Sequence, residues 1–367
     1  MRDDRGDACL AGLALALGRR RLGSAWPNPA VGAVVVEPES GRILAQAATA
    51  RGGRPHAEPV ALEAAGSEAR GATLYISLEP CSHHGQTPPC ADAIVAAGVG
   101  RVVSAMEDPD DRVAGRGHAR LRAAGIEVAT GLLAPEAARA HRGHVTRVRL
   151  GRPFLTLKLA RTADGFAGRL GPRLLITGAA ANARTHMLRA AADAVMVGIA
   201  TALADDPALD VRLPGLEDRR PVRIVLDSRL RLPPTSRLAA GAMEHPTWVV
   251  SAEDAPQEAA DRLAARGVVV IRAAAGPDGR LHLPDALHRL AARGLTSVLC
   301  EGGPALGEAL AAADLVDELV LVTSPRRLDA PGQQALGRSL TRFLSDRLAP
   351  LDEEAASDDL IQTFERR

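Results

Sequence analysis

Runs of apolar residues with the length of buried strands alternate with helical patterns along most of the chain. In the first part, helical patterns cover 7–19, 56–65, 90–97 and 118–124, and strand patterns cover 31–36, 43–48, 72–78, 102–105 and 126–128. Each helix and each strand has an apolar side to bury, so elements in this order pack as layers of helices on a sheet. The pattern therefore predicts an α/β sandwich for the N-terminal part.

A second α/β series follows a basic segment that has a glycine and a proline near its end. Its strand patterns cover 154–160, 194–198, 222–226, 247–251, 268–272, 297–300 and 318–323. The chain has 367 residues, a length that suits two domains better than one core. We therefore predict a first domain over 1–145, a linker over 146–152 and a second domain over 153–367. Patterning is weak from about residue 326 onward, where we expect a loosely structured tail.

The composition argues against several classes of function. The formal net charge is +1 and aromatic residues make up 2% of the chain, whereas nucleic-acid-binding domains carry a basic excess and stacking aromatics. Four cysteines in a chain of this length do not make a disulfide framework. The apolar run at 9–17 has acidic residues before it and arginines after it, unlike a signal peptide, and no run reaches the roughly 18 residues of a membrane span. We therefore expect a cytoplasmic protein with reduced thiols that binds neither nucleic acid nor membranes.

Two short segments hold residues with the chemistry of a zinc site. His56 and Glu58 stand in Pro-His-Ala-Glu, and Cys81 and Cys90 bound the later stretch that begins with Glu-Pro-Cys. A catalytic zinc ion takes imidazole and thiolate ligands from three residues and keeps its fourth position for water. We predict one zinc ion per chain, bound by His56, Cys81 and Cys90. Glu58 would take a proton from the zinc-bound water and hand it to a departing amine, and this order of residues is the signature of zinc deaminases.

The spacing of the two cysteines leaves other interpretations open. Zinc deaminases usually have two residues between the cysteines, whereas here there are eight. His83 and His84 lie in this insert and are competing candidate ligands. A structural zinc site, or two unrelated buried cysteines, would also account for the cysteines alone. A structural site is closed and has no use for Glu58, so the catalytic interpretation is favoured.

Asn28 and the whole inter-cysteine stretch point to one family. Asn28 stands in Pro-Asn-Pro-Ala-Val-Gly before a buried strand, either as a turn residue held by two prolines or as a hydrogen-bond partner of the substrate. With Pro-His-Ala-Glu and Leu-Glu-Pro-Cys-Ser-His-His-Gly-Gln-Thr-Pro-Pro-Cys, the sequence resembles the bifunctional deaminase/reductase family of riboflavin biosynthesis, which typically has the eight-residue spacer. The resemblance covers about 7–325. It implies a cytidine-deaminase-like α/β/α sandwich followed by a dihydrofolate-reductase-like α/β domain that uses NADPH.

The resemblance also implies which residues bind cofactor and substrate. Those implied at NADPH are Ala160, Thr201, Asp205, Ser228, Gly303, Pro304, Ala305, Leu306, Gly307, Glu308 and Ala309. Those implied at the substrate are Lys158, Asp164, Arg189, Leu209, Arg212 and Glu301, with Asn28 in the first domain. A Gly-Gly loop before a helix lets backbone amides approach a phosphate, and arginine binds phosphate through forked donors. Taken alone, the arginines are more often solvated surface charges, Lys158 a strand-end charge and Asp164 a turn residue.

The implied function has two steps. Attack by zinc-bound hydroxide removes the 2-amino group of 2,5-diamino-6-(5-phosphoribosylamino)pyrimidin-4(3H)-one, and NADPH then reduces the ribosyl group to ribityl. The stretch 171–177 lacks a serine and a tryptophan that the family usually carries, so a deaminase with a degenerate second domain is one alternative. A tRNA-editing deaminase and a zinc-stabilised binding protein without activity are two others. The partner implied is a small pyrimidine nucleotide, and the sequence leaves homo-oligomerisation open.

Overall fold

The computed structural model describes residues 4–169 and 175–367, which divide into two compact units, Met1–Gly151 and Arg152–Arg367. The helices of the first unit are α1 (Asp4–Arg19), α2 (Ala57–Ala65), α3 (Cys90–Ala97), α4 (Arg116–Ala123), α5 (Ala134–Ala140) and α6 (Arg142–Leu150). Its strands are β1 (Gly32–Val36), β2 (Ile43–Ala48), β3 (Thr73–Ile76), β4 (Arg101–Ser104) and β5 (Glu127–Thr130). No helix within the described ranges is long and apolar enough to cross a membrane.

The first unit is a three-layer α/β/α sandwich, as the sequence predicts. Its sheet has the order β2-β1-β3-β4-β5, in which β1 pairs antiparallel with both neighbours and the later strands are parallel. Successive side chains of a strand point to opposite faces of a sheet. Val34 therefore packs with Leu10 of α1, while Val35 packs in the cluster that contains Ile94 of α3. Gly32 lets α1 approach closely, because a Cβ there would lie 2.0 Å from a carbonyl oxygen of that helix.

The second unit is built on a larger sheet. Its helices are α7 (Ala179–Ala191), α8 (Ile199–Asp205), α9 (Arg237–Ala240), α10 (Gln257–Ala264), α11 (Leu283–Ala292), α12 (Pro304–Ala312) and α13 (Arg338–Arg347). Its strands are β6 (Phe154–Arg161), β7 (Phe166–Arg169), β8 (Ala194–Gly198), β9 (Val222–Leu226), β10 (Thr247–Ala252), β11 (Val269–Ala273), β12 (Ser297–Cys300), β13 (Glu318–Thr323), β14 (Gly332–Gln334), β15 (Leu348–Ala356) and β16 (Asp359–Arg366).

The large sheet brings the ends of three distant strands together. Its order is β11-β10-β9-β8-β12-β6-β13-β16-β15, and the strands from β11 to β13 are parallel. Parallel strands are covered on both faces, which is why they read as continuous apolar runs in the sequence. Residues that follow β8, β12 and β6 meet at one edge, where α/β sheets commonly bind ligands.

The boundary between the units lies within the predicted linker over 146–152, although most of that segment is helical. Residues Arg142–Leu150 form α6, and Gly151 ends this helix in a left-handed conformation with φ of 64°. The boundary between the units falls after Gly151. The residues that end a helix, Gly151 and Pro153, lie only at the end of the basic segment. The arginines before them are good helix formers.

The expectation of a loose tail from about residue 326 is wrong. The tail contains α13, β15 and β16, and β16 pairs antiparallel with β13 to extend the large sheet. Ile361 of β16 is buried in a hydrophobic cluster with Val320 and Val322 of β13. Strand β15 lies at the edge of the sheet and is mostly exposed, so it is rich in charged residues and lacks the apolar run of a central strand.

Candidate active sites

Three elements of the first unit bring His56, Cys81 and Cys90 together. His56 directly precedes α2, Cys90 is the first residue of α3, and Cys81 lies in the loop between β3 and α3. The Nδ1 atom of His56 lies 3.2 Å from the Cys90 Sγ atom and 3.8 Å from the Cys81 Sγ atom. The potential ligand atoms of the three residues all lie within 4.8 Å of one another. One imidazole and two sulfurs at this separation suit tetrahedral zinc with one position left for water.

A hydrogen bond between the two thiols shifts their pKa values in opposite directions. The hydrogen bond from the Cys90 thiol lowers the pKa of Cys81 to about 4, and the same contact raises the pKa of Cys90. The Cys90 amide also donates to the Cys81 Sγ atom over 3.3 Å. Thiolate is the form that binds zinc, so the lowered pKa of Cys81 favours metal binding, and a cation between the sulfurs would favour the second thiolate.

Glu58 lies beside this group in the first turn of α2. Its side chain is 3% exposed, and within the described ranges its Oε2 atom is buried without a hydrogen-bond partner. Burial raises the pKa of Glu58. Buried polar atoms are nearly always hydrogen-bonded, so this oxygen fits a site where a bound water or a substrate supplies the partner. The donor set and the orphaned carboxylate oxygen together fit a catalytic zinc ion.

Asn28 contacts a predicted zinc ligand. Its Nδ2 atom donates to the Gly53 carbonyl over 2.8 Å and lies 3.3 Å from the Nε2 atom of His56. The other ring nitrogen of His56 faces the sulfurs. Asn28 thus fixes the orientation of the imidazole, a role common for the outer partners of metal-binding histidines. It also lines, with Glu58, a cavity of about 360 Å³.

Other ionisable residues line this cavity, and the sequence analysis does not select them. The Nε2 atom of His144 lies 2.9 Å from the Oδ1 atom of Asp108, and Arg54 lines the same cavity. His83 also lines the cavity, and within the described ranges neither His83 nor His84 belongs to the ligand group. Asp108 follows a parallel strand closely, a position that could have selected it. Arg54 and His144 carry no comparable signal in the sequence.

A second cavity, of about 530 Å³, lies in the second unit beside the carboxyl ends of β6, β8 and β12. The predicted residues that line it are Lys158, Ala160, Arg189, Thr201, Asp205, Glu301, Gly303, Pro304, Ala305 and Leu306. The Thr201 Oγ1 atom accepts the Gly303 amide over 3.2 Å, which holds the start of α8 against the glycine loop before α12. The sheet thus brings residues from four separate segments of the sequence to one place.

Charged residues lie together on one wall of this cavity. Arg189 and Glu301 form a bidentate ion pair at 2.5 and 2.8 Å, and each side chain is 12% exposed. Arg189 also donates to the Asp210 carbonyl over 2.9 Å. The side chain of Lys158 lines the same cavity and makes no hydrogen bond or ion pair within the described part of the chain. Burial lowers the pKa of Lys158, while the Glu301 carboxylate opposes that shift.

The remaining predicted residues of the second domain do not line the described part of this cavity. They are Asp164, Leu209, Arg212, Ser228, Gly307, Glu308 and Ala309. Leu209 is buried in a hydrophobic core cluster. The Glu308 carboxylate accepts the amides of Ser339 and Leu340 at 2.9 and 3.0 Å, and so caps the first turn of α13.

Three of these residues have protein partners near the ends of strands or in loops. The Asp164 carboxylate accepts the hydroxyl of Thr162 over 2.6 Å, which lowers the pKa of Asp164 to about 2. The exposed Arg212 pairs with Asp210, and the Ser228 hydroxyl accepts the Leu281 amide over 3.2 Å. Their roles toward substrate or cofactor stay predictions.

Both units match known families. Residues 9–106 match the cytidine and deoxycytidylate deaminase zinc-binding region, and residues 153–337 match the RibD C-terminal domain. The chain is 41% identical over 335 residues to the riboflavin biosynthesis protein RibD of Escherichia coli strain K12, covering 87% of this chain and 88% of that protein. It is 39% identical over 357 residues to RibD of Aquifex aeolicus, covering 96% and 97%. The chain belongs to the RibD family.

Solved RibD structures have the same two-domain fold. RibD of Acinetobacter baumannii, form 1, superposes with a TM-score of 0.87 at 33% identity over 100% of both chains. A diaminohydroxyphosphoribosylaminopyrimidine deaminase/5-amino-6-(5-phosphoribosylamino)uracil reductase from Thermotoga maritima gives 0.83 at 31% identity over 99% of both. As a member of the RibD family, the chain is a bifunctional deaminase and reductase of riboflavin biosynthesis. The relatives span both units, so the alternative of a deaminase with a degenerate second domain is not favoured. Most of the divergent stretch 171–177 lies outside the described residues.

Proposed function

We propose that the first unit removes the 2-amino group of 2,5-diamino-6-(5-phosphoribosylamino)pyrimidin-4(3H)-one by hydrolysis. The observation that carries this proposal is the buried Glu58 carboxylate, which has an unpartnered oxygen beside a His-Cys-Cys donor set. A structural zinc site would be closed by a fourth protein ligand and would not need this carboxylate. The Thermotoga maritima relative is named for deamination of a pyrimidine nucleotide of this kind.

Each residue of the cavity has a part in this reaction. His56, Cys81 and Cys90 would hold the zinc ion, which when bound supplies a Lewis acid that lowers the pKa of water to about 7. Asn28 keeps the His56 ring in the orientation that turns Nδ1 toward the sulfurs. Glu58 accepts the proton of the attacking water and donates it to the amine, which leaves as ammonia. The pKa of Glu58 is raised by burial, which suits a carboxyl group that must both hold and release a proton near neutral pH.

We further propose that the second unit reduces the ribosyl group of the deaminated product at C1′. Bound NADPH supplies the hydride, and the protein supplies binding and orientation. The Ala305 amide at the start of α12 and the side chains of Thr201 and Asp205 would bind the cofactor, since a helix N-terminus attracts phosphate. Lys158 and the Arg189–Glu301 pair would hold the ribose phosphate end of the substrate, as they form the charged wall of the same cavity.

Ammonia release and NADPH oxidation, measured on the same zinc-loaded protein, test both halves of the proposal. We expect ammonia from the diaminopyrimidine nucleotide without NADPH, and NADPH oxidation only once the deaminated product is present. A sample that releases ammonia but oxidises no NADPH with the deaminated product would favour the deaminase-only alternative.

The variant Glu58→Gln isolates the proton transfer, because glutamine keeps the shape of glutamate but cannot accept the proton. We expect about one zinc ion per chain, as in the wild type, and a rate of ammonia release lower by a factor of about 100 to 10,000. NADPH oxidation with the deaminated product should be unchanged and serves as the internal control. Ammonia release at the wild-type rate would contradict the role given to Glu58.

A further inference from the structure

The zinc cavity is lined by more basic side chains than a neutral pyrimidine ring requires. Arg54, Arg112, Arg147, His83 and His144 all line it, although only the base reacts there. Cations that face a ligand cavity attract an anionic part of the ligand. An anionic part of the substrate would bind to those groups that the protein does not already pair.

Several of these groups are already engaged by the protein. Arg112 forms a bidentate pair with Asp110 at 2.9 and 2.5 Å. The imidazole of His144 lies 2.9 Å from the Asp108 carboxylate. Arg147 donates to a backbone carbonyl over 2.9 Å. The Arg112 contact also neutralises Asp110, which would otherwise repel an anion.

Arg54 has no carboxylate partner within the described ranges. Its Nη1 atom donates to the Thr87 Oγ1 atom over 2.6 Å, and its Nη2 atom lies 3.4 Å from the position that a Cβ at Gly85 would take. Arg54 therefore extends from the segment just before His56 to the loop between the two cysteines. A guanidinium has five N–H donors, so this contact leaves donors for a ligand in the cavity.

A second unsatisfied group lies in the same loop. The Nδ1 atom of His83 is buried and has no hydrogen-bond partner in the described part of the chain. Arg54 thus presents its remaining donors, and His83 an unpartnered ring nitrogen, to the same cavity. Planar guanidinium donors match the oxygens of a phosphate group, and such charge-assisted bonds are the stronger kind.

We propose that Arg54 binds the 5′-phosphate of the pyrimidine nucleotide during deamination, with His83 as a second donor. Through this contact, Arg54 makes the first site select a nucleotide over the corresponding nucleoside. This inference rests on the proposed function, because it names the group of that substrate which Arg54 contacts. It also gives a role to the long inter-cysteine loop, which carries His83 and the hydrogen-bond partner of Arg54.

The kinetic test compares the phosphorylated substrate with its dephosphorylated form in wild type and in Arg54→Ala. We expect kcat/KM for the phosphorylated substrate to fall by about 10- to 100-fold, and kcat/KM for the dephosphorylated form to change less than about twofold. Arg54→Lys should recover part of the loss, because it keeps the charge but not the fork. Zinc content should stay at the wild-type level. An equal loss on both substrates would overturn the proposal and assign Arg54 a structural role.

Two control variants separate phosphate binding from loop structure. Thr87→Ala breaks the same hydrogen bond but keeps the guanidinium, so we expect equal and small effects on both substrates. Arg51→Ala removes a nearby exposed arginine that does not line the cavity, so we expect no change. Selective loss of the phosphorylated substrate in Thr87→Ala, with none in Arg54→Ala, would contradict the assignment.

A binding measurement tests Arg54 independently of the reaction. Titration of the zinc-loaded full-length protein with ribose 5-phosphate should show one more bound equivalent in wild type than in Arg54→Ala. Equal stoichiometry and affinity in the two proteins would overturn the inference, whatever the substrate. A wild-type protein that binds the extra equivalent but releases no ammonia from the diaminopyrimidine nucleotide would instead contradict the proposed deamination.

Discussion

At the scale of single residues, Lys158 is the basic side chain of the second cavity that makes no direct ion pair in the described part of the chain. Burial lowers the pKa of Lys158 and so disfavours its charged form. A ligand that accepts hydrogen bonds from the ammonium group would stabilise that charged form. We expect Lys158→Met to lower kcat/KM for NADPH oxidation with the deaminated product by about 10- to 100-fold. Lys158→Arg should recover only part of this, since a guanidinium is larger and planar. Ammonia release by the same proteins should match wild type, and a loss of both activities would indicate a folding defect instead.

The burial of His141 makes the stability of the first unit depend on pH. Its side chain is 2% exposed, its Nε2 atom lies 3.1 Å from the Ser77 carbonyl oxygen, and burial lowers its pKa to about 4. The unfolded chain therefore binds this proton at higher pH than the folded chain, so the stabilisation is present above about pH 6.5 and is lost as the pH falls to about 4. The loss amounts to at most about 3 kcal/mol.

The variant His141→Gln tests this contribution, because its amide can still donate to the Ser77 carbonyl but does not titrate. We expect the variant to be less stable than wild type at pH 7 and to lose less stability between pH 7 and pH 4.5. Urea unfolding of both proteins at the two pH values measures how much unfolding free energy each one loses. The contributions of other titrating groups cancel when the two losses are subtracted. Parallel losses in the two proteins would show that His141 does not set the acid response.

At the scale of secondary-structure elements, Glu308 has two possible roles that experiment can separate, binding of the cofactor and capping of α13. Both of its carboxylate oxygens accept amides in the first turn of α13. Loss of such a cap costs about 1 kcal/mol, so Glu308→Ala should lower the thermal midpoint of the second unit and leave the KM for NADPH within about twofold. Thr201→Val, which alters a residue of the cavity wall, should raise that KM. A raised KM in Glu308→Ala without a change in thermal midpoint would restore the cofactor role.

The sequence predicts central elements better than edge elements. Strands β8, β9, β12 and β13 have the predicted bounds, because strands covered on both faces are continuous apolar runs. Strands β7, β14, β15 and β16 are missed, since these strands mix polar and apolar residues. The zinc ligands could be predicted from the sequence because histidine, glutamate and cysteine in a fixed order form a recognisable motif. The structure brings the three predicted ligands together. Arg54 and His144 could not be selected, because their place in the cavity depends on the fold rather than on a local pattern.

At the scale of the whole molecule, each unit has the core that independent folding requires. Among the described residues, every hydrophobic cluster lies within one unit. We therefore expect a fragment of residues 1–151 to bind zinc and release ammonia, and a fragment of residues 152–367 to oxidise NADPH with the deaminated product. Separate expression followed by both assays measures this. A fragment that aggregates, or that works only when the other is added, would show that the cores are not independent.

The lysine in the second cavity has a practical consequence, because it is the sole lysine among the 367 residues. An amine-directed acylating reagent therefore meets only this side chain and the terminal amine, so the labelled mass reports directly on whether the cavity is occupied. A protease specific for lysine cuts the denatured chain once, after residue 158, a few residues beyond the boundary at Gly151. That single cut yields one peptide with all the predicted zinc ligands and another with nearly all of the reductase.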